Sequence, residues 1–268
     1  MTTAIVTLTT DFGLSDEFVG ALKGVLLSSL DSLTIVDISH AIRPQDILHA
    51  SMVLAQSVPF FPQGTVHLAV VDPGVGSSRR IVAISTGGQL LVGPDNGLFT
   101  PFLRDDASLV HHVTNDDLFR KPISPTFHGR DIMAPVAAQL AGGMDISRVG
   151  QRIPRESCIQ LSGFTSCRIG DTIIGQVVAR DHFGNLRTNI TDKEVRNLPG
   201  SGGITLRTGE LQIDGLNSVY AERQSGELIA LIDSQGFVEI AVVDGDAAAH
   251  TGIGTGGKII ITRRRRLF

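Results

Sequence analysis

The sequence predicts an N-terminal α/β domain followed by an all-β domain, and two observations support that prediction. Over the first half of the chain, apolar β-branched runs alternate with amphipathic segments of helical length. After about residue 155, the apolar segments become short and are punctuated by glycine, and no long helical pattern follows. We therefore expect an α/β domain at residues 1–157 and a β domain at residues 168–268.

The α/β prediction rests on the order of the elements in the first domain. Strands and helices are expected to alternate as "AIVTLTT", "SDEFVGALKGVLLSSL", "LTIVDIS", "PQDILHASMVLAQSV" and "TVHLAVV". Pro44, at the start of the second helical segment, suits a first helical turn. The strands "RIVAIS" and "QLLVG" then precede a last long helix, "GRDIMAPVAAQLAGG". Strands separated by helices form parallel βαβ units, so we expect a mixed, mostly parallel sheet with helices on both faces.

The second domain is predicted to consist of strands. Its short apolar segments are "TIIGQVVA", "ITL", "ELQI", "ELIALID", "GFVEIAVV" and "KIIIT". Segments of this length, separated by glycine-containing turns, are typical of an all-β domain. The boundary with the first domain is expected in "RIPRESCIQLSGFTSCRIGD".

The composition argues against several classes of function. A chain that is 42% hydrophobic with a net charge of -4 is typical of a soluble globular protein and has no general nucleic-acid surface. Neither a membrane-length apolar stretch nor a basic-then-apolar leader is present, so we expect a cytoplasmic protein without membrane contact. Cys158 and Cys167 lack CxxC spacing, which predicts neither a zinc site nor a disulfide framework. The basic run Arg263 to Arg266 is interpreted as a solvated strand end or subunit contact, with attraction to phosphates or anionic lipid as the alternative.

Two aspartates follow predicted parallel strands of the first domain. Asp11 follows "AIVTLTT" and Asp72 follows "TVHLAVV", which places both carboxylates at the sheet edge where ligands bind in open α/β folds. Asp11-Phe12-Gly13 matches the magnesium-binding tripeptide of protein kinases, but only ten residues precede it here, so we do not expect a kinase. In "DPGVGSSRR", a glycine-rich turn brings Arg79 back toward Asp72. The alternative is that Asp72 only caps its own turn.

Two other loops of the first domain carry polar side chains. "TFHGRD" supplies His128, Arg130 and Asp131 immediately before the last helix, with a structural histidine and a helix N-terminal charge as alternatives. "GPDNG" offers Asn96 as a candidate substrate-binding residue, although asparagine followed by glycine also forms simple tight turns.

One segment of the second domain combines three kinds of contact. "RDHFGNLRTN" contains Asp181, Phe183 and Asn185, which are a carboxylate, a ring able to stack and an amide able to read a base edge. Phe183 is also compatible with the core of a β domain. No cluster with metal-ligand spacing accompanies these residues, so we expect no metal site.

Five motifs occur in the order and spacing of a known family, and they are "LTTDFG", "VVDPGVGSSRR", "GPDNG", "TFHGRD" and "DHFGNLRTNI". Through them the chain resembles the S-adenosyl-L-methionine hydroxide adenosyltransferases, relatives of enzymes that fluorinate or chlorinate the same substrate. The resemblance implies an α/β N-terminal domain, a β-barrel-like C-terminal domain, and a homotrimer with sites between one subunit's N-terminal domain and its neighbour's C-terminal domain. It also implies hydrolysis of S-adenosyl-L-methionine (SAM) to adenosine and L-methionine, with no cofactor.

The resemblance also implies roles for residues of the first domain. The residues that match the hydrolytic triad are Asp72, Arg79 and His128, and Asp11 matches the aspartate that binds the ribose hydroxyls. The halogenating relatives have replaced the triad. Its presence in this chain therefore favours water over halide as the nucleophile.

In the second domain, the resemblance implies contacts to both ends of SAM. Asp181 resembles the carboxylate that meets the methionine amino group, Phe183 a ring beside adenine, and Asn185 the amide that reads adenine. Ser234 resembles the serine at the methionine carboxylate. The halogenating relatives have an arginine where this chain has Gln235, so recognition of that carboxylate differs here.

Three other classes of function remain as alternatives. A SAM-dependent halogenase would be revealed by halide dependence. A non-catalytic SAM or adenosine sensor would keep Asp11 and Asn185 but would need no triad. A phosphatase would use Asp11 as its nucleophile, and the lack of a DxD pattern after the first strand argues against it.

Overall fold

The computed structural model describes residues 4–200 and 202–263. The chain separates into two compact units, Met1–Leu161 and Ser162–Phe268. Each unit has its own hydrophobic core. The division falls inside residues 152–171, the segment in which the sequence places the domain boundary.

A seven-stranded sheet forms the centre of the N-terminal unit. Its elements are β1 (Ala4–Thr10), α1 (Phe18–Ser29), β2 (Leu33–Ser39), α2 (Ile47–Ser57), β3 (Val66–Val70), β4 (Ile81–Thr86), β5 (Gln89–Pro94), β6 (Leu109–His112), α3 (Ala134–Ala141) and β7 (Arg152–Ile153). The strand order is β2-β1-β3-β5-β4-β6-β7. The strands β2, β1, β3 and β5 pair in parallel, whereas β4, β6 and β7 join through antiparallel pairs. The predicted mixed α/β sheet is confirmed.

The central strand β3 shows why helices cover both faces of the sheet. All of its residues are buried. Val66 and Leu68 belong to the core cluster that includes α1 and α3, whereas Ala69 and Val71 belong to the cluster that includes α2. Because successive side chains of a strand point to opposite faces, the two clusters lie on opposite sides of the sheet. The parallel strands are thus covered on both faces, as parallel sheets require.

The start of α2 differs from the prediction. The sequence places Pro44 in the first helical turn, but the helix begins at Ile47 with Asp46 as its N-cap. Gln45 has a φ of 66°, a left-handed conformation that is uncommon outside glycine and that prevents the helix from starting earlier. In this conformation the Gln45 N–H donates to the carboxylate of Asp11 at 2.8 Å. A contact with a distant strand end therefore sets the helix boundary.

The C-terminal unit is an antiparallel, barrel-like sheet with eight strands. Its elements are β8 (Cys167–Ile169), β9 (Thr172–Arg180), β10 (Leu186–Thr191), α4 (Asp192–Arg196), β11 (Ile204–Thr208), β12 (Leu211–Asp214), β13 (Leu228–Ile232), β14 (Phe237–Val242), α5 (Ala247–Thr251) and β15 (Lys258–Arg263). The order is β12-β11-β15-β9-β10-β14-β13, and β8 pairs with β9. The predicted all-β domain is confirmed.

The basic run at the end of the sequence begins in β15. Arg263 donates to the carbonyl oxygens of Leu198 at 3.0 Å and Val195 at 3.2 Å, so this guanidinium binds the end of α4. The remaining arginines of the run, 264–266, lie outside the described residues. Within the described part of the chain, no helix is long and apolar enough to cross a membrane.

Candidate active site

The turn that follows β3 joins an acid to a cation. Arg79 Nε lies 2.8 Å from Asp72 Oδ1 and 2.9 Å from Oδ2, and Arg79 Nη2 lies 2.5 Å from Oδ2. The two side chains are 9% and 5% exposed, respectively. A bidentate pair of this kind fixes both the position and the plane of the guanidinium. The expected return of Arg79 toward Asp72 is therefore present in the structure.

His128 completes this cluster, although it is 49 residues from Arg79 in the sequence. Arg79 Nη2 lies 3.1 Å from His128 Nδ1. A guanidinium can only donate, so Nδ1 accepts and the proton of the neutral imidazole is assigned to Nε2. Burial lowers the pKa of His128, and the Arg79 charge lowers it further, whereas Asp72 opposes the shift. The ring is therefore neutral near pH 7 and is a hydrogen-bond donor at Nε2.

Gly76 allows the Asp72–Arg79 turn to reach the segment that carries His128. Its φ is 78°, and a Cβ at this position would lie 2.5 Å from the carbonyl oxygen of Pro125. Any other residue would strain the backbone and separate the two segments. The glycine thus explains how a turn after β3 and a loop before α3 contact each other.

Asp131 holds the loop that carries His128 in place. Its side chain is fully buried and accepts from Arg130 at 2.8 Å, from Arg120 at 3.1 Å and from the backbone N–H of Ser124 at 2.9 Å. The interpretation of Asp131 as a helix N-terminal charge holds, because the residue lies in the first turn of a helical segment, Gly129–Met133, that leads into α3. The same buried carboxylate also ties the loop to two guanidinium groups.

Asp11, Asp72 and His128 line one cavity of about 340 Å³ in the N-terminal unit. Arg79 is not among its lining residues, so the guanidinium lies behind Asp72 and His128 and acts on the cavity through them. Gln45 also lines this cavity. The sequence pattern does not identify Gln45, because its role depends on the left-handed backbone that directs its N–H at Asp11.

Three phenylalanines form an aromatic wall of the same cavity. The ring centroids of Phe12, Phe18 and Phe127 lie 5.6–5.9 Å apart in tilted and edge-on arrangements. Arg130 lies over the ring of Phe127 at 4.9 Å, which further fixes that ring. Phe12 belongs to the motif "LTTDFG" and Phe127 to "TFHGRD", so the motifs that carry the polar site residues also contain two of the three rings. The cavity therefore combines an apolar wall with two carboxylates and an imidazole.

Asn96 is placed differently from the residues of the cavity. Its side-chain N–H donates to the carbonyl oxygen of Val71 at 2.8 Å, and its Oδ1 accepts from the N–H of Leu98 at 3.2 Å. Asn96 does not line the cavity. The amide instead fixes the turn after β5 to the end of β3, one residue before Asp72.

The second candidate cluster lies in the C-terminal unit. The Asp181 carboxylate accepts from the backbone N–H of Asn185 at 2.9 Å and from its side-chain N–H at 3.0 Å. These contacts close a turn that presents Phe183, which is 74% exposed, to solvent. Phe183 and Asn185 line a cavity of about 650 Å³ together with Tyr220. Phe183 is therefore not part of the β-domain core.

Tyr220 is a member of this cavity that the motifs do not indicate. Its hydroxyl donates to Glu239 at 2.6 Å. Burial raises the pKa of Glu239, and Asp181 and Asp233 raise it further, whereas the hydrogen bond from Tyr220 opposes the rise. Glu239 of β14 thus holds the Tyr220 ring, which lies in the short helical turn Tyr220–Glu222, and no local sequence pattern predicts such a contact.

Ser234 lies in the turn between β13 and β14 and is not buried. It is not one of the residues that line the cavity with Phe183. Its neighbour Gln235 donates its backbone N–H to Asp233 at 2.8 Å, which shapes the turn. Among the described residues, no group of three or more histidine, cysteine, aspartate or glutamate side chains could hold a metal ion.

Comparison with known proteins decides the family. The family model of the SAM hydroxide adenosyltransferase N-terminal domain matches residues 6–150, and that of the C-terminal domain matches residues 175–260. The chain belongs to the SAM hydroxide adenosyltransferase family. The family prediction made from the five motifs is therefore confirmed.

Several members of the family and its relatives match most of the chain. An (R)-S-adenosyl-L-methionine hydrolase from Salinispora tropica is 38% identical over 263 residues, which cover 96% of this chain and 97% of the relative. A fluorinase from Nocardia brasiliensis is 26% identical, and the match covers 88% of this chain and 89% of the fluorinase. A crystal structure of an uncharacterized conserved protein from Thermotoga maritima superposes with a TM-score of 0.89 at 37% identity, covering 97% of this chain and 100% of that one.

Proposed function

We propose that this protein hydrolyses SAM by attack of water at the 5' carbon of the adenosyl group, giving adenosine and L-methionine. The observation that carries the proposal is the Asp72–Arg79–His128 cluster at a cavity that also contains Asp11. Relatives named (R)-S-adenosyl-L-methionine hydrolase are 35–38% identical over most of the chain, which supports the same activity here.

The leaving group of this reaction needs no acid. Breaking the bond between the 5' carbon and sulfur moves the bonding electrons onto sulfur and converts a sulfonium cation into the neutral thioether of methionine. The new carbon–oxygen bond comes from water, which loses one proton overall. We therefore propose that no metal or organic cofactor takes part. The barrier lies in holding a weak nucleophile in line with sulfur and stabilising its developing hydroxide character.

The geometry of the cluster suits that task. His128 is neutral and carries its proton on Nε2, so it can donate to the oxygen of the attacking water. Asp72 lines the cavity, and its carboxylate, held by Arg79, can accept a hydrogen bond from the attacking water. Arg79 lies behind these two groups, where its charge orients both of them without facing the sulfonium. We assign the three residues to this step jointly.

Substrate binding is proposed to use five of the remaining candidates, whereas the amide of Asn96 holds the turn beside Asp72. Asp11 would bind the ribose hydroxyls from the rim of the N-terminal cavity. Phe183 and Asn185 would contact adenine, and Asp181 and Ser234 would contact the methionine end. The exposed ring of Phe183 and its shared cavity with Asn185 support the adenine assignment.

We also propose a homotrimer in which each site combines the N-terminal cluster of one subunit with the C-terminal cluster of a neighbour. Large apolar side chains are exposed beside both clusters, with Leu14 77% and Phe18 40% exposed in the first and Phe183 74% and Tyr220 44% in the second. Such exposure is typical of surfaces that become covered in an assembly. Asp11→Ala and Asn185→Ala chains, mixed and reassembled, should then regain part of the activity that each lacks. Full activity of a dilute monomer would contradict the trimer.

A reducing location such as the cytoplasm fits the cysteines. Cys158 and Cys167 are both free thiols, and thiols persist where the environment keeps them reduced.

Product analysis tests the proposed activity. Purified protein incubated with SAM should release adenosine and methionine at a rate that does not depend on fluoride or chloride. A halogenated adenosine that forms only with halide would instead identify a halogenase. Tight binding of SAM without turnover would identify a sensor, and either result would overturn the proposal.

A further inference from the structure

His40 joins two loops at the rim of the N-terminal cavity. It follows β2 directly and is 5% exposed. Its ring Nδ1 lies 2.8 Å from the hydroxyl oxygen of Thr10, which is fully buried at the end of β1. Its backbone carbonyl oxygen accepts from the N–H of Gly13 at 2.8 Å. One residue therefore holds the chain on both sides of Asp11.

The donor and the acceptor of the hydrogen bond between Thr10 and His40 can be assigned. The Thr10 hydroxyl oxygen accepts from the N–H of Phe12 at 3.3 Å, so its own proton is available for His40 Nδ1. His40 Nε2 then carries the ring proton and lies 3.1 Å from Asp37 Oδ1. Lys23 binds the other oxygen of that carboxylate at 2.6 Å. The ring is thus hydrogen-bonded through Nδ1, while Nε2 lies within ion-pair distance of Asp37 without forming a hydrogen bond.

The same arrangement sets the direction of the Asp11 carboxylate. Its Oδ2 accepts from the N–H of Gln45, which lies in the loop that begins at His40. Thr10 and Gly13 fix the backbone of Asp11, and Gln45 fixes its side chain. His40 itself makes the contacts to Thr10 and Gly13, and the loop that begins at His40 carries Gln45. His40 does not line the cavity.

We infer that His40 is a positioning residue that fixes the Asp11 carboxylate for the two ribose hydroxyls of the adenosyl group. This inference rests on the proposed role of Asp11 in binding the ribose. His40 acts through Thr10 and the backbone and does not touch the substrate. Its loss therefore affects discrimination for the ribose hydroxyls more than it affects chemistry.

The test compares the binding of adenosine and 2'-deoxyadenosine to wild-type protein and to variants, by calorimetry. The wild type should prefer adenosine, and Asp11→Ala should remove most of that preference. His40→Ala should reduce the preference about tenfold, the scale of one hydrogen bond to a charged group. His40→Asn keeps an acceptor near the position of Nδ1 and should restore most of it, whereas His40→Gln places its amide near Nε2 and should not.

A matched control separates positioning from general stability. His111 is a buried histidine, 6% exposed, which lies 3.0 Å from the carbonyl oxygen of Gly150 on another part of the sheet. His111→Ala should lower the melting temperature without changing the adenosine preference.

Each outcome bears on a separate claim. If His40→Ala lowers only the melting temperature, or if Asp11→Ala leaves the preference unchanged, the inference about His40 is wrong, even where wild-type protein hydrolyses SAM. If the preference changes as expected but wild-type protein releases no adenosine from SAM, the inference stands and the proposed hydrolase function fails.

Discussion

The candidate clusters of the two units differ in how their side chains are held. In the N-terminal unit, Asp72 and Arg79 are nearly buried and bind each other, and Arg79 also contacts His128. In the C-terminal unit, Phe183 and Tyr220 expose 74% and 44% of their surface to solvent. Groups that stabilise a transition state must be held in place before reaction, whereas groups that bind a nucleobase can be ordered by the ligand. The buried, paired groups of the first cluster therefore fit its proposed catalytic role, and the exposed rings of the second cluster fit its proposed role in binding.

The largest expected effect is loss of turnover from the N-terminal cluster. His128→Ala and Arg79→Ala should each lower kcat for SAM hydrolysis by about a hundredfold or more, the usual scale for a positioned electrostatic or acid–base group. SAM binding should change little. Because the residues act together, the fold-decrease in kcat of the double variant should be far smaller than the product of the two single fold-decreases.

Arg80 provides a control for this prediction. Arg80 also forms an ion pair with a buried aspartate, Asp95, at 2.7 Å. Arg79 bonds two residues that line the cavity, whereas the partners of Arg80, Asp95 and Ser157, do not line it. Arg80→Ala should lower stability and leave kcat within a few-fold of wild type. If Arg79→Ala and Arg80→Ala lower kcat equally, the cluster is structural and the contrast between the two units fails.

The next largest effect is expected at the close approach of Gly76. In Gly76→Ala the new Cβ meets the carbonyl oxygen of Pro125 at 2.5 Å and forces the Asp72–Arg79 turn away from the His128 segment. We expect kcat to fall about tenfold or more, because small displacements of catalytic groups are costly. Gly64 has a similar φ, 83°, and a Cβ added there would have no atom within 4 Å, so Gly64→Ala reproduces the backbone strain alone. Equal loss of kcat in both variants would contradict the explanation.

A smaller effect, on binding and not on turnover, is expected from the C-terminal cluster. Phe183→Ala should raise KM for SAM about tenfold, since stacking of a base on an aromatic ring contributes about 1–3 kcal/mol. Asn185→Ala should do the same, and kcat should stay near that of wild type. Steady-state kinetics over a range of SAM concentrations measures both constants. A large fall in kcat with unchanged KM would show that the second cluster takes part in chemistry.

The smallest effect is expected in the pH dependence of activity. The pKa of His128 lies below its ordinary value of 6.5, so the ring takes up a proton only at lower pH than a free imidazole would. If the neutral ring is the active form, kcat/KM should be constant near neutral pH and should fall only as pH drops below 6.5. In His128→Asn this acid limb should disappear from the pH profile. Loss of activity on acidification while the pH is still above 6.5 would contradict the assigned protonation state.

Much of the fold follows from local patterns. The alternation of strands and helices predicts the parallel part of the first sheet, and the position of Asp11 and Asp72 after β1 and β3 predicts that they share one edge. Strand periodicity and the rules for βαβ units are local or topological, which explains this success. The strands β6 and β7, which pair at the antiparallel side of the sheet, are short and were not predicted from their sequence.

The residues that the pattern misses depend on contacts between distant segments. Gln45 binds Asp11 only because its backbone is left-handed, and that conformation also moves the start of α2 from Pro44 to Ile47. Tyr220 is held by Glu239 across the β domain. Secondary-structure propensities and motifs do not predict such contacts, because neither partner forms a recognisable pattern with its neighbours in the sequence.

Asn96 is the opposite case, because its motif predicts a substrate contact whereas its side chain makes hydrogen bonds within the protein. The sequence marks "GPDNG" as part of the family pattern, and the structure shows the Asn96 amide bound to the end of β3. Its hydrogen-bond partner Val71 directly precedes Asp72 in the chain. A residue of the motif can therefore support the site without lining the cavity. Only the hydrogen-bond partners distinguish support from substrate contact.

The central claim, that water attacks the 5' carbon under the control of the N-terminal cluster, is tested most directly by isotope labelling. SAM hydrolysed by wild-type protein in water enriched in heavy oxygen should give adenosine with one labelled oxygen at the 5' hydroxyl and methionine without label, as mass spectrometry can show. Methylthioadenosine with homoserine or its lactone, or label in the amino-acid product, would contradict the account.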